Sequence, residues 1–143
     1  MCRIRYTFSE LIVGMKDSLS RTITRDDILR FAEATGDHNP IHVEEEFAAK
    51  SKFGKPIAHG MLGAGLISAL MGAKLPGPGN MYMEQSLSFR KPVFIGDTIT
   101  ATAEITELDA EKYRVRLETV CTNQDGAVVI EGNALLHFKI LEK

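Results

Sequence analysis

An α+β fold follows from three observations on the sequence. Apolar residues recur at helical spacing in the first half of the chain, they alternate every second residue in the second half, and residues 61–75 between them are apolar nearly throughout. The architecture these predict is a curved antiparallel sheet of about five strands wrapped around one buried apolar helix. With 143 residues, 44% of them apolar, the chain is expected to form one domain over residues 1–143, because single cores divide only at about twice this length.

The elements are justified in order. An early strand is expected near residues 18–23. Thr24-Arg-Asp-Asp27 then reads as a capping box, and Ile28, Phe31, Ala32 and Thr35 follow at helical spacing, so a first helix spans about residues 25–35 and closes at Gly36. A short helix is expected near residues 44–50, with three glutamates at the positive end of its dipole. The apolar run at 61–75 reads as a helix buried on most sides, rich in Gly and Ala, so that neighbouring backbone can come close. It stops at Lys74, short of the roughly 20 apolar residues a membrane span needs. Pro76-Gly-Pro-Gly-Asn80 is its exit, and strands follow at about 81–89, 98–106, 112–119 and 128–140, with a hairpin signal at Asn123-Gln-Asp-Gly126.

Composition excludes several functions. Lys and Arg total 17 against 19 Asp and Glu, a net charge of -2, which lacks the basic surface that nucleic acid demands. Neither a membrane nor a nucleic acid is therefore expected as a partner. Cys2 and Cys121 have neither disulfide-framework nor metal-ligand spacing and read as free thiols in a reducing compartment. The start carries two arginines with no apolar stretch behind them, so a secretory signal is not expected and a cytoplasmic location follows.

Two clusters carry chemistry. Thr35-Gly-Asp-His-Asn-Pro-Ile-His42 gathers a carboxylate, an amide and two imidazoles in one loop. Asp37 and His42 sharing one water could take a proton from it and deliver one to carbon, with Pro40 and Asn39 holding the loop's geometry. Asp-x-Asn-Pro is equally good turn chemistry, so spacing alone leaves both readings open. Lys55-Pro-Ile-Ala-His-Gly60 leads straight into the apolar helix and leaves the amides of Gly60 and Met61 at the positive end of its dipole, where they could hold a developing oxyanion. A carboxylate beneath such a pocket is expected to be partly desolvated. His59 reads as a residue that fixes the loop, Arg90 and Lys91 as candidates for phosphate contact, and the Ser68 hydroxyl as one that either bonds back to its own helix or supports the Asp37 and His42 loop.

Residues 31–42, the Pro56-Ile-Ala-His-Gly-Met61 segment and Gln85-Ser-Leu-Ser-Phe-Arg-Lys-Pro-Val-Phe-Ile-Gly-Asp97, in this order, resemble the MaoC-like, R-specific enoyl-CoA hydratases of the hot-dog fold. The resemblance implies that Asp37 and His42 activate water while the Gly60 amide polarises a thioester carbonyl. Asn39, His59 and Ser68 then support the site or bind substrate, and the supporting reading of Ser68 rests on this resemblance to similar enzymes. It further implies syn hydration of trans-2-enoyl-CoA to (R)-3-hydroxyacyl-CoA, reversibly, without metal or cofactor, coenzyme A arriving as part of the substrate. A homodimer or higher homo-oligomer is implied as well. The alternatives are an acyl-CoA thioesterase on the same fold and a non-catalytic acyl-CoA-binding module.

Overall fold

A computed structural model describes residues 3–143 and holds one antiparallel sheet packed on one long helix. The elements are β1 (Lys16–Thr22), α1 (Arg25–Thr35), α2 (Pro40–Val43), α3 (Glu45–Ala49), α4 (Gly60–Ala73), β2 (Met81–Gln85), β3 (Ser88–Phe89), β4 (Thr98–Asp109), β5 (Arg114–Thr122) and β6 (Val128–His137), preceded by a 3-10 turn at Phe8–Glu10. The sheet order is β1-β4-β5-β6-β2, and β3 also pairs with β6. This is the hot-dog arrangement the sequence predicts, with six strands in place of about five. The extra strand arises because the predicted run 81–89 breaks between Gln85 and Ser88. There the Ser86 carbonyl lies against Gly132 of β6, where any Cβ would collide with it.

Helix α1 has the predicted bounds and caps. Thr24 Oγ1 accepts from the Asp27 amide at 3.1 Å, the Asp27 carboxylate accepts from the Thr24 amide at 3.0 Å, and Gly36 closes the helix at φ 79°. Strand β5 begins two residues later than the alternation suggests, because Tyr113 occupies the preceding turn at φ 52°. Strand β6 ends at His137, three residues before the expected 140.

The concave face of the sheet buries Ile99, Ala101, Ala103 and Ile105 of β4 and Val115, Leu117 and Cys121 of β5 against Leu66, Ile67, Leu70 and Met71 of α4. Two alanines in the middle of β4 let the helix lie close to the sheet. Burial of α4 is one-sided: Gly65, Ser68, Ala69, Gly72 and Ala73 are exposed, contrary to the expectation of a helix covered on most sides. No helix among the described residues is long and apolar enough to cross a membrane. Cys121 is a buried free thiol, and Cys2 lies outside the described residues.

Candidate active site

The loop from α1 to α2 is tied together by its own polar atoms. Thr35 Oγ1 donates to the Phe31 carbonyl at 2.7 Å and accepts from the Asp37 amide at 3.2 Å. Asp37 Oδ1 accepts from the Asn39 amide, and Asn39 Oδ1 accepts from the Ile41 amide, each at 3.2 Å. Asn39 is extended at φ -54°, ψ 124°, as the following proline requires, and Pro40 opens the short helix α2 that carries His42. Asn39 thus caps α2, the supporting role expected of it.

His42 reaches back across the chain and places Nδ1 2.7 Å from the Ile57 carbonyl. A carbonyl only accepts, so Nδ1 carries the proton and the Nε2 lone pair is left free. Burial, with a smaller contribution from the neighbouring His59, holds the His42 pKa below its usual 6.5 despite the Ile57 bond and Asp37, so the ring is neutral at neutral pH. His59 is 3% exposed and places Nε2 3.0 Å from the Asp37 carbonyl, leaving Nδ1 buried without a partner among the described residues. Its ring lies between Phe31, with centroids 4.6 Å apart, and His42, at 4.1 Å. His59 therefore fixes both the backbone of Asp37 and the face of His42.

Asp37, His42 and His59 bring one side-chain ligand atom each within 4.8 Å of one another. These are residue types that bind transition metals, and each imidazole already places one ring nitrogen on a backbone carbonyl, His42 on Ile57 and His59 on Asp37.

Beside this group the N-terminus of α4 opens into a cavity of about 520 Å³ lined by His42, His59, Gly60 and Gly63 together with apolar side chains. His59 is the residue before the helix and makes no side-chain cap, and no acidic residue stands in the first turn. The Gly60 and Met61 amides consequently find no acceptor among the described residues. An added Cβ at position 60 would fall 2.6 Å from Phe89 Cε1, so any other residue there needs the Phe89 ring to move.

Two expectations need correction. Ser68 is not gathered into the site: it does not line the cavity and makes no hydrogen bond to the loop among the described residues. At 100° per residue it lies about 80° around the helix from Gly60, on the exposed face with Gly65 and Gly72. Asp37 is exposed in the single chain and is not a lining residue of the cavity, although its carboxylate lies within 4.8 Å of ring nitrogens of His42 and His59, which are. Arg90 and Lys91 do line the mouth, but Arg90 already pairs with Glu131 at 2.7 Å. Sequence reasoning missed Ile57 and Phe89. The former acts through a backbone carbonyl that any residue supplies, and the latter looks like an ordinary strand aromatic.

The fold and these groups define a hot-dog protein whose apolar cavity joins an Asp–His pair to an uncapped helix N-terminus. The chain belongs to the MaoC like domain family, whose model matches residues 13–127. It is 50% identical over 131 residues to a Rhodospirillum rubrum protein named (R)-specific enoyl-CoA hydratase, covering 92% of this chain and 90% of the relative. A Methylorubrum extorquens protein named 3-hydroxybutyryl-CoA dehydratase is 48% identical, covering 94% and 84%. Among solved structures, an R-hydratase from Pseudomonas aeruginosa in unliganded form superposes with a TM-score of 0.89 at 40% identity, covering 94% of this chain and 86% of that one.

Proposed function

We propose that this chain is an (R)-specific enoyl-CoA hydratase, adding water to trans-2-enoyl-CoA to give (R)-3-hydroxyacyl-CoA and catalysing the reverse dehydration. The observation that carries the reading is the meeting of Asp37 and the free Nε2 of His42 beside two unspent amides at the head of an apolar cavity. The names of relatives at 48–50% identity support the same chemistry.

In this mechanism the acyl chain enters the cavity and the thioester oxygen accepts from the Gly60 amide. Water sits between the Asp37 carboxylate and His42 Nε2. Its oxygen bonds to C3 while the pair takes one of its protons, and the C2–C3 π electrons move toward the carbonyl, whose oxygen gains enolate charge. A proton returns from the same pair to C2, on the face that received the hydroxyl, so the addition is syn. Protons and water are all that move, and the reaction calls for no metal or redox cofactor; coenzyme A is part of the substrate. Asn39 and His59 hold the pair in place.

A homodimer belongs to the same reading. Strand β2 is a sheet edge that exposes Met81, Tyr82 and Met83, and the small-residue face of α4 is exposed too, surfaces that a second copy would cover. A cytoplasmic location fits the buried free thiol Cys121. Hydration of crotonyl-CoA, followed by chiral analysis and run beside Asp37→Asn, tests the function. Fast formation of the R alcohol, lost in the variant, is expected. Release of free coenzyme A would favour a thioesterase, and binding without turnover an acyl-CoA-binding module.

A further inference from the structure

One side chain, His59, spans the two halves of the site. Its backbone starts α4: the His59 carbonyl accepts from the Leu62 amide at 3.0 Å, and the next amide along the chain is that of Gly60. Its ring reaches the other half, with Nε2 3.0 Å from the Asp37 carbonyl. A carbonyl only accepts, so Nε2 carries a proton. Nδ1 is buried and bonds nothing among the described residues, which leaves the Asp37 bond as the ring's one polar tie.

The faces of the same ring are occupied as well. Phe31 of α1 and His42 of α2 both pack against it, with centroids 4.6 and 4.1 Å away. The His59 ring therefore fills space beside the His42 imidazole that water would otherwise take. Two titratable groups act on His42, His59 itself and Asp37, and Lys52, Arg90 and Lys91 line the same cavity.

We propose that His59 is a positioning residue with two separable contacts: its Nε2–H registers Asp37 against the Gly60 amide, and its ring face, supported by Phe31, keeps water off His42. The inference rests on the hydratase reading, in which Asp37, His42 and that amide act on one substrate. It assigns to one side chain both the spacing of those groups and the pH range in which they work. The spacing depends on the bond, because a loop freed from His59 shifts relative to the amide that holds the thioester oxygen. The pH range depends on the ring. Burial is the largest influence on His42 and holds its pKa below 6.5, so water admitted beside it favours the charged form and moves the acid limb of kcat/KM up toward 6.5.

Two substitutions in the full-length protein separate the contacts. His59→Phe keeps a flat ring and has no donor, whereas His59→Gln keeps a donor and has no ring. Each is read by kcat and KM for crotonyl-CoA, by the pH dependence of kcat/KM and by a thermal melt. His59→Phe should lower kcat by about 10²-fold, the cost of a misplacement of about 1 Å, with the acid limb where the wild type has it. His59→Gln should recover about 10-fold of that loss, while its acid limb moves up toward 6.5. Phe31→Ala should move the limb the same way by less. Equal losses of kcat in the two His59 variants, or an unmoved limb in His59→Gln, would overturn the inference and leave the hydratase reading standing. Should a His59 variant fail to fold, Phe31→Ala decides, an unmoved limb there overturning the inference too. Absence of crotonyl-CoA hydration by the wild type would overturn both.

Discussion

Helix α1 closes its own N-terminus, whereas α4 leaves its N-terminus open onto the cavity. At α1 the Thr24 hydroxyl and Asp27 carboxylate exchange bonds with each other's amides, and Arg21 braces Asp27 at 2.6 Å. That pair and the Thr24 amide hold the Asp27 carboxyl at about 2, well below its usual 3.8. At α4 the capping position is His59, whose ring is committed to the Asp37 carbonyl instead of the helix. The donors of α1 are spent on stability. Those of α4 are kept for a ligand oxygen, and the Asp–His pair that would act on that ligand is delivered by the loop leaving the other end of α1.

The contrast predicts where substitutions hurt activity and where they hurt only stability. Asp37→Asn and His42→Ala should each reduce turnover of crotonyl-CoA by roughly 10²- to 10⁴-fold, the range for loss of a general acid or base. Melting temperature should change little, since neither side chain belongs to the buried core. Full activity in either variant would show that the loop is only a turn. Gly60→Ala comes next. The new methyl cannot share space with Phe89, and a displacement of about 1 Å at the amide costs about 10²-fold in rate. Steady-state kinetics of Gly60→Ala beside Gly60→Ala/Phe89→Ala sharpens the point, because removing the ring should restore part of the loss. Unimpaired Gly60→Ala would break the assignment of the open amide.

A third expectation concerns pH. Desolvation keeps His42 neutral below its ordinary range, so kcat/KM should stay flat through neutrality and fall only below pH 6.5. A pH-rate profile that rises as the pH falls below 6.5 would mean that the imidazolium is the working form, and an acid limb centred above 6.5 would mean that the His42 pKa is raised and not lowered.

These two helix ends also explain what could be read in advance. The caps of α1 are local: Thr24, Asp27 and Gly36 each act within four residues, and the helix has the bounds expected of it. The β-alternation of β4 was equally legible from Thr98 to Ile105, where one face meets the core, and it lapses beyond the bulge between Ile105 and Glu107. The split between β2 and β3 was not, because it depends on Gly132 receiving the Ser86 carbonyl from a strand some 50 residues away in the chain. In the site, Asp37, His42 and His59 come together and Gly60 lines the cavity beside the two rings; spacing alone left the loop equally readable as a turn, and the resemblance to a family pointed to the grouping. Ser68 stands apart, since side-chain spacing along a helix does not reveal which arc the sheet will cover. Ile57 and Phe89 left no signal, one acting through its backbone and the other through a contact set by sheet register.

The smallest expected effect falls at α1. Thr24→Ala removes the hydroxyl that accepts from the Asp27 amide, and loss of such a cap costs about 1 kcal/mol. Denaturant unfolding should show that decrease, while kcat and KM for crotonyl-CoA stay unchanged. The pH dependence of the same stability separates the cap's two halves. Asp27 has a depressed folded pKa, so its contribution is present above about pH 3.8 and is lost as the pH falls toward 2. In Asp27→Asn that acid-dependent part should be missing at every pH, with the Thr24 hydroxyl still bonded to the backbone. A fall in turnover in Thr24→Ala would mean that the start of α1 is mechanically coupled to the Asp37 loop at its far end, and that the division of labour between the two helices is less complete than their caps indicate.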